Sequence, residues 1–334
     1  MPMPDFPWPS GAATGIGSLP GTDITEAQRL VFGELPEFAH LAELPDRGPG
    51  ADLIGRSAGF LVDLPVQLYA GNWQVAPRPG KDLRRAADVL ERDLDQITEQ
   101  GEGYAGAFKV QAAGPWTLTA NIDLPIGGRL LRDAGAVRDL TDSLAEGLRR
   151  HVADVQKRLP RASVLVQLDE PSMPGVIAGR VPTESGLSAY RAVDGADAAT
   201  GLRTIANAVG VPVVVHCCAS DVPLQVIRDG GAAAVALDFG LLKDLDPLGE
   251  AIEAGLGLFA GVAATRASSD GRPPSSKQIA DRVRKVWNRL SFPAPLLARQ
   301  VVVTPACGLA GASPAHVRDV LAACREAGRR LAEV

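Results

Sequence analysis

Short apolar runs alternate with longer amphipathic stretches along most of this chain. The runs at 164–168 and 211–215 are rich in valine and too short for ordinary helices, so they predict buried strands. By contrast, 133–159 carries apolar residues at helical spacing, with Leu140 and Leu144 four positions apart. This repeated order of strand and helix predicts a parallel sheet covered by helices.

The number of strand and helix units favours a closed barrel. Eight strands are predicted, which indicates a single (β/α)8 TIM barrel domain over residues 1–334. The alternative is a doubly wound open sheet, but Gly15-Ile16-Gly17 lacks the third glycine of a dinucleotide-binding turn and is soon followed by Pro20. The predicted strands are 12–20, 38–44, 107–112, 164–168, 211–218, 232–237, 256–262 and 300–303.

One predicted strand ends in three side chains that can bind a soft metal. The valine run 213–215 leads directly into His216, Cys217 and Cys218. Because side chains of a strand alternate between its two faces, His216 and Cys218 point to one side and Cys217 to the other. An imidazole and a thiolate are therefore expected to converge on one point.

Two further candidate metal ligands follow other predicted strands. Asp238 comes directly after 232–237, and Cys307 follows 300–303 by a short turn. A set of one imidazole, two thiolates and one carboxylate suits Zn²⁺, which accepts mixed N, S and O ligands in tetrahedral geometry. A lone cysteine at a strand end is more often a buried small apolar residue, so the metal hypothesis depends on the whole set.

Other polar residues also fall at the carboxyl ends of the predicted strands, where a barrel builds its site. They include Ser18, Glu43, Asp169 and Glu170. Alternation lets only one of the adjacent pair Asp169 and Glu170 face the interior, and we favour Asp169. Some of these residues are expected to be caps, because polar side chains also collect where buried strands meet loops.

Composition and charge exclude several classes of protein. A net charge of −5 gives no reason to expect nucleic acid as a partner. No segment approaches the roughly 18 uninterrupted apolar residues of a membrane span, and residues 1–9 lack the charged and apolar regions of a signal peptide. The four cysteines form no disulfide framework, which suggests a reducing compartment. A cytoplasmic enzyme with no membrane partner is the expectation.

Five motifs resemble the catalytic C-terminal barrel of cobalamin-independent methionine synthase, within the superfamily that includes uroporphyrinogen decarboxylase. They occur in the family's order, and the metal motif among them is fairly specific, whereas the glycine and proline patches alone are weak. The motifs are Ile16-Gly17-Ser18-Leu19-Pro20, Gly114-Pro115-Trp116-Thr117, Gln167-Leu168-Asp169-Glu170-Pro171, His216-Cys217-Cys218 and Pro305-Ala306-Cys307-Gly308-Leu309.

The resemblance implies a site and a reaction. Zinc would bind the substrate sulfur, keep it as a thiolate and present it to a methyl donor, most directly so that homocysteine becomes methionine. Ser18 and Asp169 would hold the amino acid substrate, Asp169 at its amino group and as the catalytic residue, with Glu43 as a further substrate-binding candidate. The implied zinc ligands are His216, Cys218, Asp238 and Cys307.

Three departures from the family pattern bear on the methyl donor. Asp238 stands where the family has a glutamate, which is one methylene longer. Arg266 lies near the place of a proton-donating histidine, and an arginine does not release a proton at neutral pH. The folate-binding N-terminal half of the full-length enzyme is not in this sequence. A donor other than folate, such as a corrinoid protein or another methyl carrier, is therefore an open option.

Other functions remain open at this point. One is a methylcobamide-to-thiol methyltransferase, which also uses a His-x-Cys motif. Another is a non-catalytic paralogue that binds zinc or a thiol metabolite, for which Arg266 is the best argument. The decarboxylase branch of the superfamily needs no metal, so the thiolate site argues against it. Detectable methyl transfer would separate catalysis from binding.

Overall fold

A seven-stranded parallel sheet forms the centre of the molecule in the computed structural model, which describes residues 6–268 and 272–333. Its strands are hydrogen-bonded in the order β1-β4-β6-β7-β8-β9-β10, and β2, β3 and β5 form a small separate sheet. The strands of the described residues are β1 (Phe38–His40), β2 (Val66–Tyr69), β3 (Asn72–Val75), β4 (Ala107–Ala113), β5 (Ile122–Asp123), β6 (Ser163–Asp169), β7 (Val213–Cys217), β8 (Ala234–Asp238), β9 (Gly257–Ala263) and β10 (Val301–Pro305).

Of the eight predicted strands, the first in the chain, 12–20, is not confirmed. Residues 12–19 form only isolated parallel bridges, from Ala13 to Val303 and from Ser18 to Glu43. This segment therefore contacts both edges of the curled sheet without joining it as a regular strand. Gly17 has a φ of +153°, and a Cβ there would lie 2.5 Å from Nε2 of Gln111, so this point of the segment favours glycine.

Helices connect most of the strands and pack on the outer face of the sheet, where α5 contacts α7 and α10 contacts α12. The described residues also form short 3-10 helices at Pro45–Arg47 and Leu130–Arg132. The α-helices are α1 (Ile24–Glu34), α2 (Leu53–Ala58), α3 (Lys81–Gln100), α4 (Pro115–Asn121), α5 (Ala134–Arg158), α6 (Met173–Ile177), α7 (Gly195–Val209), α8 (Leu224–Asp229), α9 (Asp246–Glu253), α10 (Ser276–Arg289), α11 (Ala294–Gln300) and α12 (Pro314–Ala332).

Two regions differ from the sequence-based assignment. The segment 65–79, for which the hydrophobic pattern predicts neither a strand nor a helix, forms the antiparallel pair β2 and β3. Gln300 was predicted to begin the last strand but ends α11, where its amide donates to the carbonyls of Ile252 and Leu256. At Gln300 these tertiary contacts override the local preference for a strand.

Apolar side chains fill the inside of the curled sheet at the amino ends of its strands. Phe38 and Phe259 meet edge to face there, and Trp8 packs edge to face against Phe259. These residues belong to a buried cluster with Ala107, Leu165 and Val214, separate from the larger core beneath the helices. The amino end of the interior is thus closed by packed side chains.

Polar side chains occupy the same inner face further along the strands. The strand period of two places Lys109 and Gln111 after Ala107 on β4, and Gln167 and Asp169 after Leu165 on β6. On β7 the same step leads from Val214 to His216. The inner face therefore changes from apolar to polar and ionisable towards the carboxyl ends of the strands.

Candidate metal centre

His216, Cys218 and Cys307 lie together at the carboxyl ends of β7 and β10. Their candidate ligand atoms are all within 4.8 Å of one another, and the two sulfurs are 3.5 Å apart. Strands β8 and β9 separate β7 from β10 in the sheet, so the sulfurs can meet only because the sheet curls and its end loops turn inward. An imidazole and two thiols at this spacing can hold a Zn²⁺ ion.

The imidazole of His216 is oriented for such a role by Asp169. Nδ1 of His216 lies 2.7 Å from Oδ1 of Asp169, which also accepts a hydrogen bond of 2.7 Å from Nε2 of Gln167. Nε2 of His216 is buried and has no hydrogen-bond partner among the described residues. A carboxylate behind one ring nitrogen and a free second nitrogen are the arrangement of a metal-binding histidine.

Electrostatics also favour a bound cation or proton at this imidazole. Burial disfavours the charged form of His216, but the hydrogen bond to Asp169 and the nearby Cys307 outweigh it and raise the pKa to about 9. Metal binding requires the neutral imidazole, so a metal would take the place of a proton at Nε2.

Each of the two thiols in the cluster changes the pKa of the other. The hydrogen bond between the two sulfurs, with His216 beside them, lowers the pKa of Cys307 to about 4, whereas the same contact raises the pKa of Cys218. The first thiolate therefore forms easily, and the second needs a cation nearby. Cys217 faces away from them and is fully buried, and burial raises its pKa to about 12.

Asp238, the fourth predicted ligand, is not part of this group among the described residues. It ends β8 as expected, but its Oδ1 accepts a hydrogen bond of 2.7 Å from the backbone amide of Gly240. The side chain thereby closes a turn with its own backbone, as short Asp side chains commonly do after a strand. It faces a different cavity from the one that holds the sulfurs.

The three predicted substrate-binding residues line one cavity with the three metal-ligand candidates. This cavity has a volume of about 250 Å³ and contains Ser18, Glu43 and Asp169 on its wall. Ser18 and Glu43 are brought side by side by their backbone bridge. The remaining wall consists of Ile16, Pro45, Ala51, Leu53, Pro171 and Gly308.

Glu43 is held from behind by a buried ionic network that the sequence patterns did not indicate. Nε of Arg56 lies 3.2 Å from Glu43, and its NH1 lies 2.6 Å from Asp93, which also pairs with Arg47. Burial raises the pKa of Glu43 to about 7 even though Arg56 favours its charged form. Glu43 can therefore change its charge near neutral pH.

Lys109 is a second residue that sequence reasoning missed. It is completely buried on the inner face, and its Nζ donates a hydrogen bond of 2.8 Å to the carbonyl of Ile16. Burial lowers its pKa to about 7, opposed in part by Asp169 and Glu43. The available signal was a lysine inside the apolar run 107–112, at a position that alternation turns inward.

Glu170 has a structural role at the start of α4. Its carboxylate accepts hydrogen bonds from the amides of Trp116 and Thr117 and from the Thr117 hydroxyl, at 3.0, 2.7 and 2.7 Å. The backbone amides at a helix start lack partners within the helix, so this buried carboxylate satisfies two of them. The carboxylates of these two neighbouring residues therefore lie in different surroundings. Asp169 is at the site, and Glu170 is beneath the start of α4.

The loop after β9 carries Arg266, as the sequence suggested, and a histidine from another element lies beside it. Arg266 and His316 line one cavity, and Nε2 of His316 lies 3.0 Å from the carbonyl of Ala264. His316 belongs to the first turn of α12, where Ser313 caps the helix. This contact joins His316 to a loop 52 residues away, so no local sequence pattern indicates it.

Comparison with known proteins gives one family match and several similar folds. A family model described as the catalytic domain of cobalamin-independent synthase matches residues 11–330. A solved B12-independent methionine synthase from Shewanella sp. W3-18-1, in complex with selenomethionine, has a TM-score of 0.65 and 12% identity, covering 97% of this chain and 98% of that one. A methyltransferase from Methanosarcina mazei has a TM-score of 0.55 and 15% identity, covering 97% and 94%.

At these identities the structural likeness establishes the fold. No curated protein sequence matches the chain. Within the described residues, no helix combines the length and the apolar character needed to cross a membrane.

Proposed function

Because the chain belongs to the family of cobalamin-independent synthase catalytic domains, we propose that it is a zinc-dependent methyltransferase that moves a methyl group to the thiol of homocysteine. The family membership confirms the resemblance that the five sequence motifs indicated, and with it a methyltransferase of the methionine synthase type. The zinc, the acceptor and the residue roles are our proposals.

The observation that carries the proposal is the cluster of His216, Cys218 and Cys307 beside a small cavity with two carboxylates. Three protein ligands leave a tetrahedral ion one open position for a further ligand, as in catalytic zinc sites. Zinc held there would keep the sulfur of a substrate thiol ionised near neutral pH. The free Nε2 of His216 fits this role.

The cavity also suits the amino acid end of the substrate. Asp169 and Glu43 are the two carboxylates on its wall, and an ammonium group between them would form charge-assisted hydrogen bonds. Ser18 offers a hydroxyl at the same wall. Lys109 and Arg56 stand behind the two carboxylates and keep the empty cavity from accumulating uncompensated negative charge. A cavity of about 250 Å³ selects a small acceptor.

Methyl transfer itself needs little from the protein beyond alignment. The thiolate sulfur forms a bond to the methyl carbon, and the bond between that carbon and the donor breaks with its electron pair left on the donor. Asp169 contributes by fixing His216 and by binding the substrate amino group, so the sulfur is held in one place. The donor, whether folate, a corrinoid protein or another carrier, is left open.

A zinc- or thiol-binding protein without turnover is the second candidate. The observation in its favour is Arg266 in the loop after β9, because arginine does not act as a proton donor to the departing methyl carrier. A methylcobamide donor would reduce the need for such a proton.

The test is methyl transfer to homocysteine by the zinc-loaded protein, with methyltetrahydrofolate and methylcobalamin supplied in separate assays. We expect methionine from at least one donor, loss of product in Cys218→Ala, and retained turnover in Cys217→Ala, whose side chain lies outside the cavity. Bound zinc with no methionine from either donor would favour the non-catalytic alternative.

A further inference from the structure

A strongly basic cavity adjoins the metal centre. It has a volume of about 550 Å³ and lies beyond the carboxyl ends of β8 and β9, against α10. Four basic residues line it and Asp238 is the single acidic one; the basic residues are Lys243, Arg282, Lys285 and Arg289. In a chain with a net charge of −5, this concentration of positive charge is local.

Three of these residues belong to one face of α10. Arg282, Lys285 and Arg289 are separated by three and four positions, the spacing of neighbours along a helix face. Like charges at this spacing repel one another and destabilise the helix unless an anion lies between them. The arrangement therefore has a cost that a bound anion would remove.

Some basic residues of α10 form ion pairs with acids of the described chain, and others do not. Lys277 pairs with Asp281 at 2.9 Å, and Arg284 lies 3.7 Å from the same carboxylate. In the part of the chain that the structure describes, neither Lys285 nor Arg289 makes an ion pair with an acid, and both belong to the cavity wall. The acidic neighbours thus neutralise other cations of the helix and leave these two available.

The basic cavity lies close to the cavity of the metal centre. Ala306 lines it, and the next residue, Cys307, lines the cavity of the metal centre. The backbone amide of Ala306 donates a hydrogen bond of 2.9 Å to the carbonyl of Ala263, which ties the residue before Cys307 to the end of β9. A molecule in the basic cavity would lie one residue away from a metal-ligand candidate.

We propose that this basic cavity binds a small organic molecule that carries two or more phosphate or carboxylate groups. Its volume is within the range of small-molecule sites, which is roughly 300–1,000 Å³. Apolar residues complete the wall and suit the body of such a molecule; they are Phe239, Leu242, Leu245 and Val286. Lys285 and Arg289 would provide charge-assisted hydrogen bonds to its anionic groups.

Calorimetric titration of the zinc-loaded protein with pyrophosphate and with tricarballylate tests this site without requiring turnover. We expect saturable binding of at least one probe at low salt, and weaker binding as sodium chloride is raised. Lys285→Gln and Arg289→Gln should each weaken it about tenfold, as expected for loss of a charged hydrogen bond. Lys277→Gln is the matched control, because it makes the same charge change on the same helix outside the cavity.

Two results would overturn the proposal: no binding of either probe at millimolar concentration, or equal weakening by Lys277→Gln and by the two cavity variants. A Cys307→Ala variant should retain probe binding, which separates this site from the metal centre. Once a methyl donor is known, competition between the probe and that donor would show that the donor itself carries the anionic groups that this cavity binds. A probe that changes the rate of methyl transfer without competing with the donor would show that the cavity binds a separate effector.

Discussion

Asp169 and His216 stand opposite each other in register on β6 and β7, with Oδ1 and Nδ1 2.7 Å apart. Adjacent parallel strands fix this spacing through the backbone, so the pairing does not depend on a flexible loop. Because Nδ1 is engaged, the lone pair for a metal must come from Nε2, which has no hydrogen-bond partner among the described residues. One carboxylate thus connects the candidate metal ligands with the cavity that also contains Ser18 and Glu43.

We expect Asp169→Asn to weaken zinc binding by about 10- to 100-fold, because the ring would lose the partner that orients it and raises its basicity. Competition with a zinc chelator of known affinity measures the change. Circular dichroism before and after the substitution controls for folding. Zinc affinity equal to that of the native protein would show that His216 needs no carboxylate.

For Asp238, unlike Asp169, we expect no contribution to zinc affinity. Since its carboxylate accepts the Gly240 amide and lies apart from the sulfurs, Asp238→Asn should leave zinc affinity unchanged in the same chelator competition. Cys307→Ala is the comparison that should lose the metal. If Asp238→Asn lost zinc as Cys307→Ala does, the carboxylate would have to leave its turn and join the ligands, as the sequence resemblance implied.

The buried network behind Glu43 should be costly to break. Arg56→Met leaves Asp93 with Arg47 alone and removes the cation that pairs directly with Glu43, so we expect the free energy of unfolding to fall by about 3–5 kcal/mol in urea titrations. Arg29→Met removes an exposed pair with Glu26 and should cost less than about 1 kcal/mol. Equal losses in the two variants would contradict a stabilising role for the buried network.

Two helical glycines should respond in opposite directions to alanine. A Cβ at Gly147 in α5 would overlap the backbone carbonyl oxygen of Phe60, so Gly147→Ala should destabilise the protein by about 1–3 kcal/mol or more. A Cβ at Gly33 in α1 meets no described atom within 4 Å, so Gly33→Ala should stabilise it by up to about 1 kcal/mol. Thermal unfolding of both variants checks the packing of α5 against the loop at Phe60.

Features fixed by strict periodicity were predictable from the sequence. A period of two placed His216 and Cys218 on one side of a strand, and the carboxyl ends of parallel strands brought Cys307 into reach. The long amphipathic helix α5 begins and ends within one residue of the predicted range 133–159.

Features that depend on contacts distant in sequence were not predictable in the same way. Arg56 meets Asp93 across 37 residues, and neither lies in a recognisable motif. Asp238 has the right position on its strand, but a local hydrogen bond decides its direction. Lys109 could have been suspected from its place in an apolar strand, whereas its proximity to two carboxylates requires the curled sheet. The seven-stranded sheet in place of eight strands likewise depends on distant pairing, because residues 12–19 meet the sheet only through isolated bridges.

The most direct test of the central claim is X-ray absorption at the zinc edge, on protein of measured zinc content, before and after addition of homocysteine. We expect about one zinc per chain, bound by one imidazole and two sulfurs of the protein, and one additional sulfur ligand once homocysteine is present. Zinc that keeps its ligands unchanged in saturating homocysteine, or native protein that binds no zinc, would contradict a thiol-activating metal site.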